Sequence, residues 1–298
     1  MLPLYAALVV GFMVLVILEG AIVRATGSGA GCGNHWPLCN GDFFPHHPRV
    51  ATIIEYTHRS MTGLCTTLVA VLIGWTFLAR PRGDRSRKAV VWSGILLITE
   101  AILGAILVKG GYVENNASDM RVVMQCIHFT NTMLLLAAIT IAWWWIRARP
   151  QPATSFGPHA RTAAWLSLGT TLFVGATGSV AALADTLFPP TSLQAAFLQD
   201  FAAHSPLLVR MRWLHPASAL IALSCAIWLA FQIRSTLGRL VLGLICAQVL
   251  LGAADVFLLA PTWMQVLHLL GADLYWIALV VACVTVLAPE LLRSTVSS

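Results

Sequence analysis

Residues 3–23 read PLYAALVVGFMVLVILEGAIV, an almost unbroken apolar run whose one charged residue is Glu19. A helix of this length rises about 30 Å, which matches the hydrocarbon layer of a bilayer. Similar runs lie further along the chain, near 52–79, 89–108, 121–146, 162–183, 210–232, 238–259 and 263–287. The sequence therefore predicts an all-α polytopic membrane protein with eight transmembrane helices.

The overall composition favours the same class of protein. Of the 298 residues, 58% are hydrophobic and only 10% are charged. Polar side chains are therefore too few to cover a soluble domain of this size. The formal net charge is +6, but a nucleic-acid-binding protein needs a basic face on a soluble domain. We expect a lipid bilayer around the chain and no nucleic-acid partner.

The positions of the basic residues predict the orientation in the membrane, because cytoplasmic connections retain Lys and Arg. Basic residues follow the second, fourth, sixth and eighth apolar runs: Arg80, Arg82, Arg85, Arg87, Lys88, Arg147, Arg149, Arg161, Arg234, Arg239 and Arg293. This pattern places both termini in the cytoplasm and the loops 24–51 and 184–209 outside. The first run lacks the features of a cleaved leader, so we expect a retained helix in a bacterial plasma membrane.

Short matches between the two halves indicate an internal duplication. Three segments recur in the same order: 25–28 as 176–179, 100–105 as 248–253, and 124–128 as 264–268. Because each unit contains four spans, both units enter the membrane from the same side. We expect two pseudo-symmetric four-helix bundles, residues 1–150 and 151–298, each with its own core.

The two long outer loops are predicted to carry function, since loops of this length are uncommon as simple connections. The second contains Pro189 and Pro190, and a short amphipathic helix is predicted around Leu193 to Phe201. The connections on the other side are short and basic. We therefore expect the chemistry on the outer side.

Four of the nine histidines lie inside predicted spans: His58, His128, His215 and His268. Each lies near the start of an even-numbered span, so all four share one depth near the outer boundary. An imidazole in a span is costly without a partner, and pairs of histidines on facing helices can clamp heme iron. We expect one heme in each half. The alternative is that each histidine makes a hydrogen bond to a neighbouring helix.

The two predicted heme sites differ in one neighbouring residue. Glu55 stands three residues before His58, and Arg212 stands three residues before His215, a spacing that puts each pair on one helical face. A carboxylate can act as a base or stabilise positive charge, whereas an Arg is suited to pairing with a heme propionate. Glu55 also has an alternative role, a salt bridge with Arg59.

Cys32 and Cys39 lie in the first outer loop with six residues between them. In an oxidising compartment they can form a disulfide. The spacing leaves open whether such a bond would only fasten the loop or take part in redox chemistry. The other five cysteines lie in apolar spans and are interpreted as packing residues.

Further charged residues lie in or near the spans without an assigned role. Acidic residues inside spans are candidates for function or for helix–helix hydrogen bonds: Glu19, Glu100, Asp255 and Asp273. Arginines near the outer ends of spans fit either propionate contacts or lipid headgroups: Arg24, Arg49, Arg121 and Arg210.

These features together resemble the heme A synthase family, whose members convert heme O to heme A for cytochrome oxidase. The resemblance covers nearly the whole chain. It rests on EGAIVRATGSG at 19–29, the Cys32/Cys39 pair, EYTHR at 55–59 and the histidines of spans four, six and eight. It implies oxidation of the C8 methyl of heme O to a formyl group, by successive hydroxylations to a geminal diol that loses water.

The resemblance also implies roles for individual residues. His58 and His128 match the ligands of the substrate heme in the first half, and His215 and His268 match the heme b ligands of the second. Glu55 matches the essential carboxylate, and Cys32 and Cys39 match the first-loop cysteine pair. Unlike some members, this chain has no second cysteine pair at 184–209. Candidate partners are heme O synthase, cytochrome oxidase assembly factors and a second copy of the chain.

Two other functions remain open on the sequence. A two-heme electron carrier of the quinol-linked cytochrome b type would use the same histidine pairs, although a carrier across the membrane would need hemes at both faces. A heme transporter or chaperone would bind heme without needing Glu55.

Overall fold

The computed structural model describes residues 1–147 and 156–288. Arg149, Arg293 and the predicted domain boundary after residue 150 lie outside the described residues. Within the described ranges the chain forms ten helices: α1 (Leu2–Ala25), α2 (Val50–Ala79), α3 (Arg85–Lys109), α4 (Asp119–Arg147), α5 (Ala160–Leu187), α6 (Leu193–Phe201), α7 (Leu207–Arg210), α8 (Leu214–Ile233), α9 (Thr236–Phe257) and α10 (Thr262–Leu287).

The described residues contain eight helical segments that are long and apolar enough to cross a membrane. They are α1 to α5, α7 together with α8, α9 and α10. Each corresponds to one predicted apolar run, so the prediction of an all-α polytopic membrane protein is confirmed. The short helix predicted around Leu193 to Phe201 is also confirmed, as α6, and Ser192 caps its start by accepting a hydrogen bond from the Ala195 amide at 3.1 Å.

The sixth predicted span is interrupted between Arg210 and Leu214. Pro216 explains this break, because a proline ring clashes with the carbonyl four residues earlier, which here belongs to Arg212. A proline is tolerated within the first turn of a helix. The helix therefore starts again at Leu214, with Arg212 in the turn and His215 at the beginning of α8.

Each half of the chain forms a ring of four helices. In the first half, α1 packs against α2 and α4, and α3 packs against the same two helices. In the second half, α5 packs against α8 and α10, and α9 packs against the same two. The repeated order of neighbours confirms the predicted pair of pseudo-symmetric four-helix bundles.

The two bundles share one apolar core instead of having one each. α1 and α4 pack against α5 and α10, and one cluster of buried side chains includes Val9, Leu135 and Leu279 from three of these helices. Trp276 Nε1 donates to the Met133 carbonyl across the boundary at 2.8 Å. In the most apolar 18-residue stretch of each helix, 61% of the residues of α10 are buried but only 11% of those of α9. The expectation of two separate cores is wrong, because the helices between the halves carry most of the burial.

The connections differ between the two ends of the helix layer. One end, here named the loop end, carries the segments 26–49, 110–118, 188–206 and 258–261. At the opposite end, here named the basic end, the described connections after α2 and α8 are short. Basic residues cluster there: Arg80, Arg82, Arg85, Arg87, Lys88, Arg147, Arg161, Arg234 and Arg239. Which end faces the cytoplasm stays a prediction.

Candidate functional site

The four histidines singled out in the sequence all lie toward the loop end. His58, His128 and His268 fall within the first three turns of α2, α4 and α10, and His215 lies at the start of α8, just after α7. All of these helices begin at the loop end. The histidines therefore occupy a similar depth, as their positions in the even-numbered spans predict.

In the first half, a glycine on the preceding helix lies next to each histidine ring. A Cβ atom on Gly20 of α1 would lie 3.0 Å from Cε1 of His58. A Cβ atom on Gly104 of α3 would lie 3.9 Å from Cε1 of His128. The missing side chain of Gly20 allows the close approach of the His58 ring to the α1 backbone.

The second half repeats this contact. A Cβ atom on Gly178 of α5 would lie 2.9 Å from Cε1 of His215, and one on Gly252 of α9 would lie 2.9 Å from Cε1 of His268. Separations this short require the neighbouring ring to move. Each histidine of the duplicated unit is thus paired with a glycine on the helix before it.

These contacts correct one of the matches that indicated the duplication. Residues 25–28 lie at the end of α1, where Gly27 has a positive φ of 63°, whereas residues 176–179 lie within α5. By its contact with a histidine, Gly178 corresponds to Gly20 and not to Gly27. The four-letter match is therefore not a structural equivalence, since identical letters fill different positions. The other two matches are confirmed. Gly104 and Gly252 hold the same place in 100–105 and 248–253, and His128 and His268 end the segments 124–128 and 264–268.

The histidine pair of the second half has a geometry that fits heme ligation. The ring centres of His215 and His268 are 6.2 Å apart, and the ring planes lie at 83°. Two imidazoles bound to one metal through nitrogens at about 2 Å place their ring centres roughly 6 Å apart. His215 Nδ1 also lies 3.3 Å from the Val174 carbonyl, a kind of contact that orients metal-bound imidazoles.

In the first half, the buried Nδ1 atoms of His58 and His128 have no hydrogen-bond partner among the described residues. Helix–helix hydrogen bonds, the alternative for all four histidines, are therefore not made by these ring nitrogens. In the second half they are present, between His215 Nδ1 and the Val174 carbonyl and between His268 Nδ1 and Gln248 Nε2. A buried imidazole without a protein partner is costly in an apolar span. The two rings of the first half are thus not held by protein hydrogen bonds, which leaves a ring nitrogen of each available to a heme iron.

Glu100 of α3 lies beside His128, with Oε1 at 3.5 Å from its Nδ1. Asn131 Nδ2 donates to Oε2 of this carboxylate at 2.6 Å, and Thr132 Oγ1 donates to Oε1. The sequence left the role of Glu100 open. The structure places it against a predicted iron ligand.

Glu55 is 3% exposed and fully paired. Its Oε2 accepts a hydrogen bond from the Cys32 amide at 2.7 Å, and its Oε1 forms an ion pair with Arg59, whose Nε lies at 3.0 Å. The salt bridge considered as the alternative role is therefore present. A catalytic role is compatible with it, because the same contacts fix the carboxylate one turn before His58.

The first long loop is bound to the start of α2 through the same residues. Arg59 Nη1 donates to the carbonyls of His35, at 2.5 Å, and Leu38, at 2.6 Å. Thr52 Oγ1 donates to the Gly31 carbonyl at 2.8 Å. The sulfur atoms of Cys32 and Cys39, which belong to this loop, are within bonding distance and buried.

Arg212 does not stand free beside His215, as its spacing alone suggests. Its Nη1 donates to Asp185 of α5 at 2.8 Å, and its Nε donates to Asp200 of α6 at 2.8 Å. The guanidinium therefore links the 188–206 loop to α5 and the start of α8. A contact with a heme propionate stays a prediction for this residue.

Two arginines have roles that the sequence does not predict. Arg24 donates from α1 to the Ala182 carbonyl and to Thr186 of α5, and to Gln265 of α10 at 2.7 Å. Arg121 is buried and donates to carbonyls of the 110–118 loop. A contact of either arginine with a heme propionate or a lipid headgroup stays a prediction. The partners of Arg24 are distant in sequence, so no local pattern indicates them, whereas those of Arg121 lie five and seven residues before it.

The family described as cytochrome oxidase assembly protein matches residues 4–280. Among curated proteins, a relative from Thermus thermophilus named protoheme IX farnesyltransferase is 41% identical over 293 residues, covering 93% of this chain and 47% of the relative. The match with the farnesyltransferase therefore extends over nearly the whole of this chain.

Relatives named heme A synthase match about half of this chain. The protein from Exiguobacterium sibiricum is 36% identical over 141 residues, covering 47% of this chain and 44% of the relative. The protein from Bacillus pumilus is 38% identical over 131 residues, covering 43% of this chain and 39% of the relative. The chain thus spans about half the length, or less, of the curated relatives it matches. Since the family match covers nearly the whole chain, the chain belongs to the cytochrome oxidase assembly protein family of the heme A synthases.

Proposed function

We propose that the chain is a heme A synthase, an oxidoreductase that converts the C8 methyl group of heme O to a formyl group. The observation that carries the proposal is an asymmetry between two similar histidine sites in a chain of this family. The buried carboxylate of Glu55 lies one turn before His58, whereas Arg212, bound by two carboxylates, holds the corresponding place before His215.

In this proposal the substrate heme O lies in the first half, residues 1–150, held by His58 and His128. Heme b lies in the second half, residues 151–298, held by His215 and His268, and when bound it supplies electron transfer. The chain itself orients the substrate and limits the entry of bulk water, since both histidine pairs lie among packed helices. Each of two hydroxylations replaces a C–H bond of the methyl carbon with a C–OH bond whose oxygen comes from water, and it releases two protons, and two electrons to an electron acceptor outside the chain. The resulting geminal diol loses water to leave the formyl group.

Glu55 is the proposed catalytic residue of the first half. The Cys32 amide and Arg59 hold its two oxygens, so the carboxylate needs little reorganisation during the reaction. A fixed carboxylate in a dry site can stabilise positive charge that develops at the methyl carbon, or accept a proton from an attacking water.

The Cys32/Cys39 pair is proposed to be a disulfide that fastens the first loop over α2. The support is the short distance between the two buried sulfur atoms, together with the hydrogen bonds of Glu55 and Arg59 to the same loop. Its role in this proposal is to keep the partners of Glu55 in place.

The location proposed for the chain is a bacterial plasma membrane, with both termini and the basic end in the cytoplasm. The heme sites then lie near the outer face. We also propose a heme O synthase as a partner that supplies the substrate. The support is the Thermus thermophilus relative, which is named a protoheme IX farnesyltransferase and of which this chain matches 47%.

The direct test is to purify the protein from membranes, extract its hemes and identify them by chromatography and mass. Heme b together with heme O or heme A is the expected result. Heme b alone at two per chain would reject the synthase in favour of the two-heme electron carrier. The same detergent extract, analysed for co-purifying proteins, should contain the farnesyltransferase, and its absence at low detergent would count against that partner.

A further inference from the structure

Glu100 and Gln248 occupy equivalent positions in the two halves, on α3 and α9. Each stands one helical turn before the glycine that packs against a histidine ring, Gly104 in the first half and Gly252 in the second. The duplicated unit therefore carries a carboxylate at this position once and an uncharged amide once.

The carboxylate of Glu100 is fixed toward His128 by side chains of α4. Asn131 and Thr132 each donate to one of its oxygens, so both carboxylate oxygens accept a hydrogen bond. Its Oε1 lies 3.5 Å from Nδ1 of the His128 ring. That Nδ1 atom is buried and has no hydrogen-bond partner in the described part of the chain.

In the second half the residues around the equivalent position change together. Three and four residues after His268 stand Gly271 and Ala272, where the first half has the two donors Asn131 and Thr132. A Cβ atom on Gly271 would collide with Oε1 of Gln248.

The amide of Gln248 fills the space that Gly271 leaves. Its Nε2 lies 3.1 Å from Nδ1 and 3.3 Å from Nε2 of His268 and donates to the His268 carbonyl at 3.0 Å. This half has therefore lost both donors that would hold a carboxylate and gained room for an amide.

We propose that Glu100 is the positioning residue of His128, accepting the Nδ1 hydrogen when the other ring nitrogen binds iron, and that Gln248 gives His268 an uncharged neighbour. The inference rests on the proposed function for the presence of iron at both sites. A carboxylate on the far nitrogen fixes the ring and raises the basicity of the ligand. It favours the oxidised metal, so the heme of the first half has the lower reduction potential.

The test is the substitution Glu100→Gln, which copies the second half, in the purified protein with its hemes. The potential of each heme is measured by spectroelectrochemical titration. We expect the potential of the heme bound by His128 to rise, that of the other heme to stay unchanged, and retention of the first heme to fall about 10- to 100-fold. Glu114→Gln, an exposed carboxyl at the same end of the molecule, is the matched control and should change neither potential.

The reciprocal substitution Gln248→Glu should lower the potential of the heme bound by His268. If the Glu100→Gln protein fails to assemble with its hemes, this second variant still tests the inference. Unchanged potentials in either variant, or equal shifts of both hemes, would overturn the inference. A protein that holds two hemes but never forms heme A rejects the proposed synthase while leaving these potentials measurable, so the two failures are distinguishable.

Discussion

The carboxylate of Glu55 has two roles to separate, because its oxygens are paired with both the first loop and Arg59. Removing one partner of a buried ion pair commonly destabilises a protein by about 3–5 kcal/mol. A loss of activity after substitution therefore needs a readout of assembly beside it. Heme b content provides one, since the proposed heme b site lies in the other half.

We expect Glu55→Gln to abolish heme A formation while leaving membrane insertion and heme b content normal. Glutamine keeps the size of the side chain and one acceptor oxygen but removes the charge. Loss of a positioned acid–base group typically lowers a rate about 10²- to 10⁴-fold. Chromatography of extracted hemes should show heme O or a hydroxylated intermediate accumulating.

The matched control for this variant is Arg59→Gln, which removes the ion pair but keeps the carboxylate. We expect it to retain measurable heme A formation. If Glu55→Gln makes heme A at a near-normal rate, the carboxylate serves only the salt bridge. If both variants lose heme A and heme b equally, the effect is one of folding.

The contact between α5 and α8 depends on the absence of a side chain at Gly178. Gly178→Ala would place a Cβ atom 2.9 Å from the His215 ring, closer than the roughly 3.5–4.0 Å of a normal carbon contact. We expect the ring to be displaced and heme b content to fall at least several-fold. The measurement is the heme spectrum per mole of purified protein.

Gly169→Ala is a control on the same helix, because a Cβ atom there would meet nothing within 4 Å. Both changes gain roughly 1 kcal/mol of helix propensity, so a difference between them reports the contact with the ring. Equal heme b content in the two variants would show that the close approach is not needed for binding.

The short helix α6 is tied to the rest of the second half by Arg212 and Asp200. We expect both Arg212→Gln and Asp200→Asn to increase proteolysis within 188–206, since each breaks this tie. If Arg212 also contacts a heme propionate, its substitution alone should weaken heme b retention about 10- to 100-fold, because charged hydrogen bonds are worth roughly 1.5–3 kcal/mol. Equal retention of heme b in both variants would show that Arg212 only holds α6 in place and does not contact heme.

The helices and their order could be predicted from the sequence because hydropathy and duplication are properties of local segments. The contacts within the site could not. Glu100 reaches His128 from another helix, and Arg24 reaches residues of α5 and α10. A histidine at a given depth can be recognised in a sequence, but the atoms that face its ring belong to distant segments.

At the scale of the whole molecule, the two halves form one body because α1, α4, α5 and α10 bury their apolar residues against one another. Arg24 adds polar contacts across this boundary at the loop end. The duplication predicts two bundles of the same order but not how they meet. Which faces of the helices become core is decided by the partner half, and lipid covers the remainder.

The orientation of this body in the membrane is a prediction from its charges. Of the 16 Lys and Arg residues in the described part of the chain, nine lie at the basic end, whereas most of the described carboxylates, including Glu55, Asp185 and Asp200, lie toward the loop end. Because cytoplasmic connections retain positive charge, we expect His204→Cys in the second long loop to react with a membrane-impermeant maleimide in intact cells. Arg82→Cys at the basic end should react only after the membrane is permeabilised.

The native cysteines provide an internal check of the same experiment. Cys65, Cys126, Cys225, Cys246 and Cys283 lie within membrane-spanning helices, so an impermeant reagent should not reach them. Cys32 and Cys39 should label only after reduction and unfolding, because they are buried and paired in the structure. Labelling of Arg82→Cys in intact cells, with His204→Cys protected, would reverse the orientation. Such a result would place Glu55 and the histidine sites on the cytoplasmic side, where a reducing environment opposes a lasting Cys32/Cys39 bond.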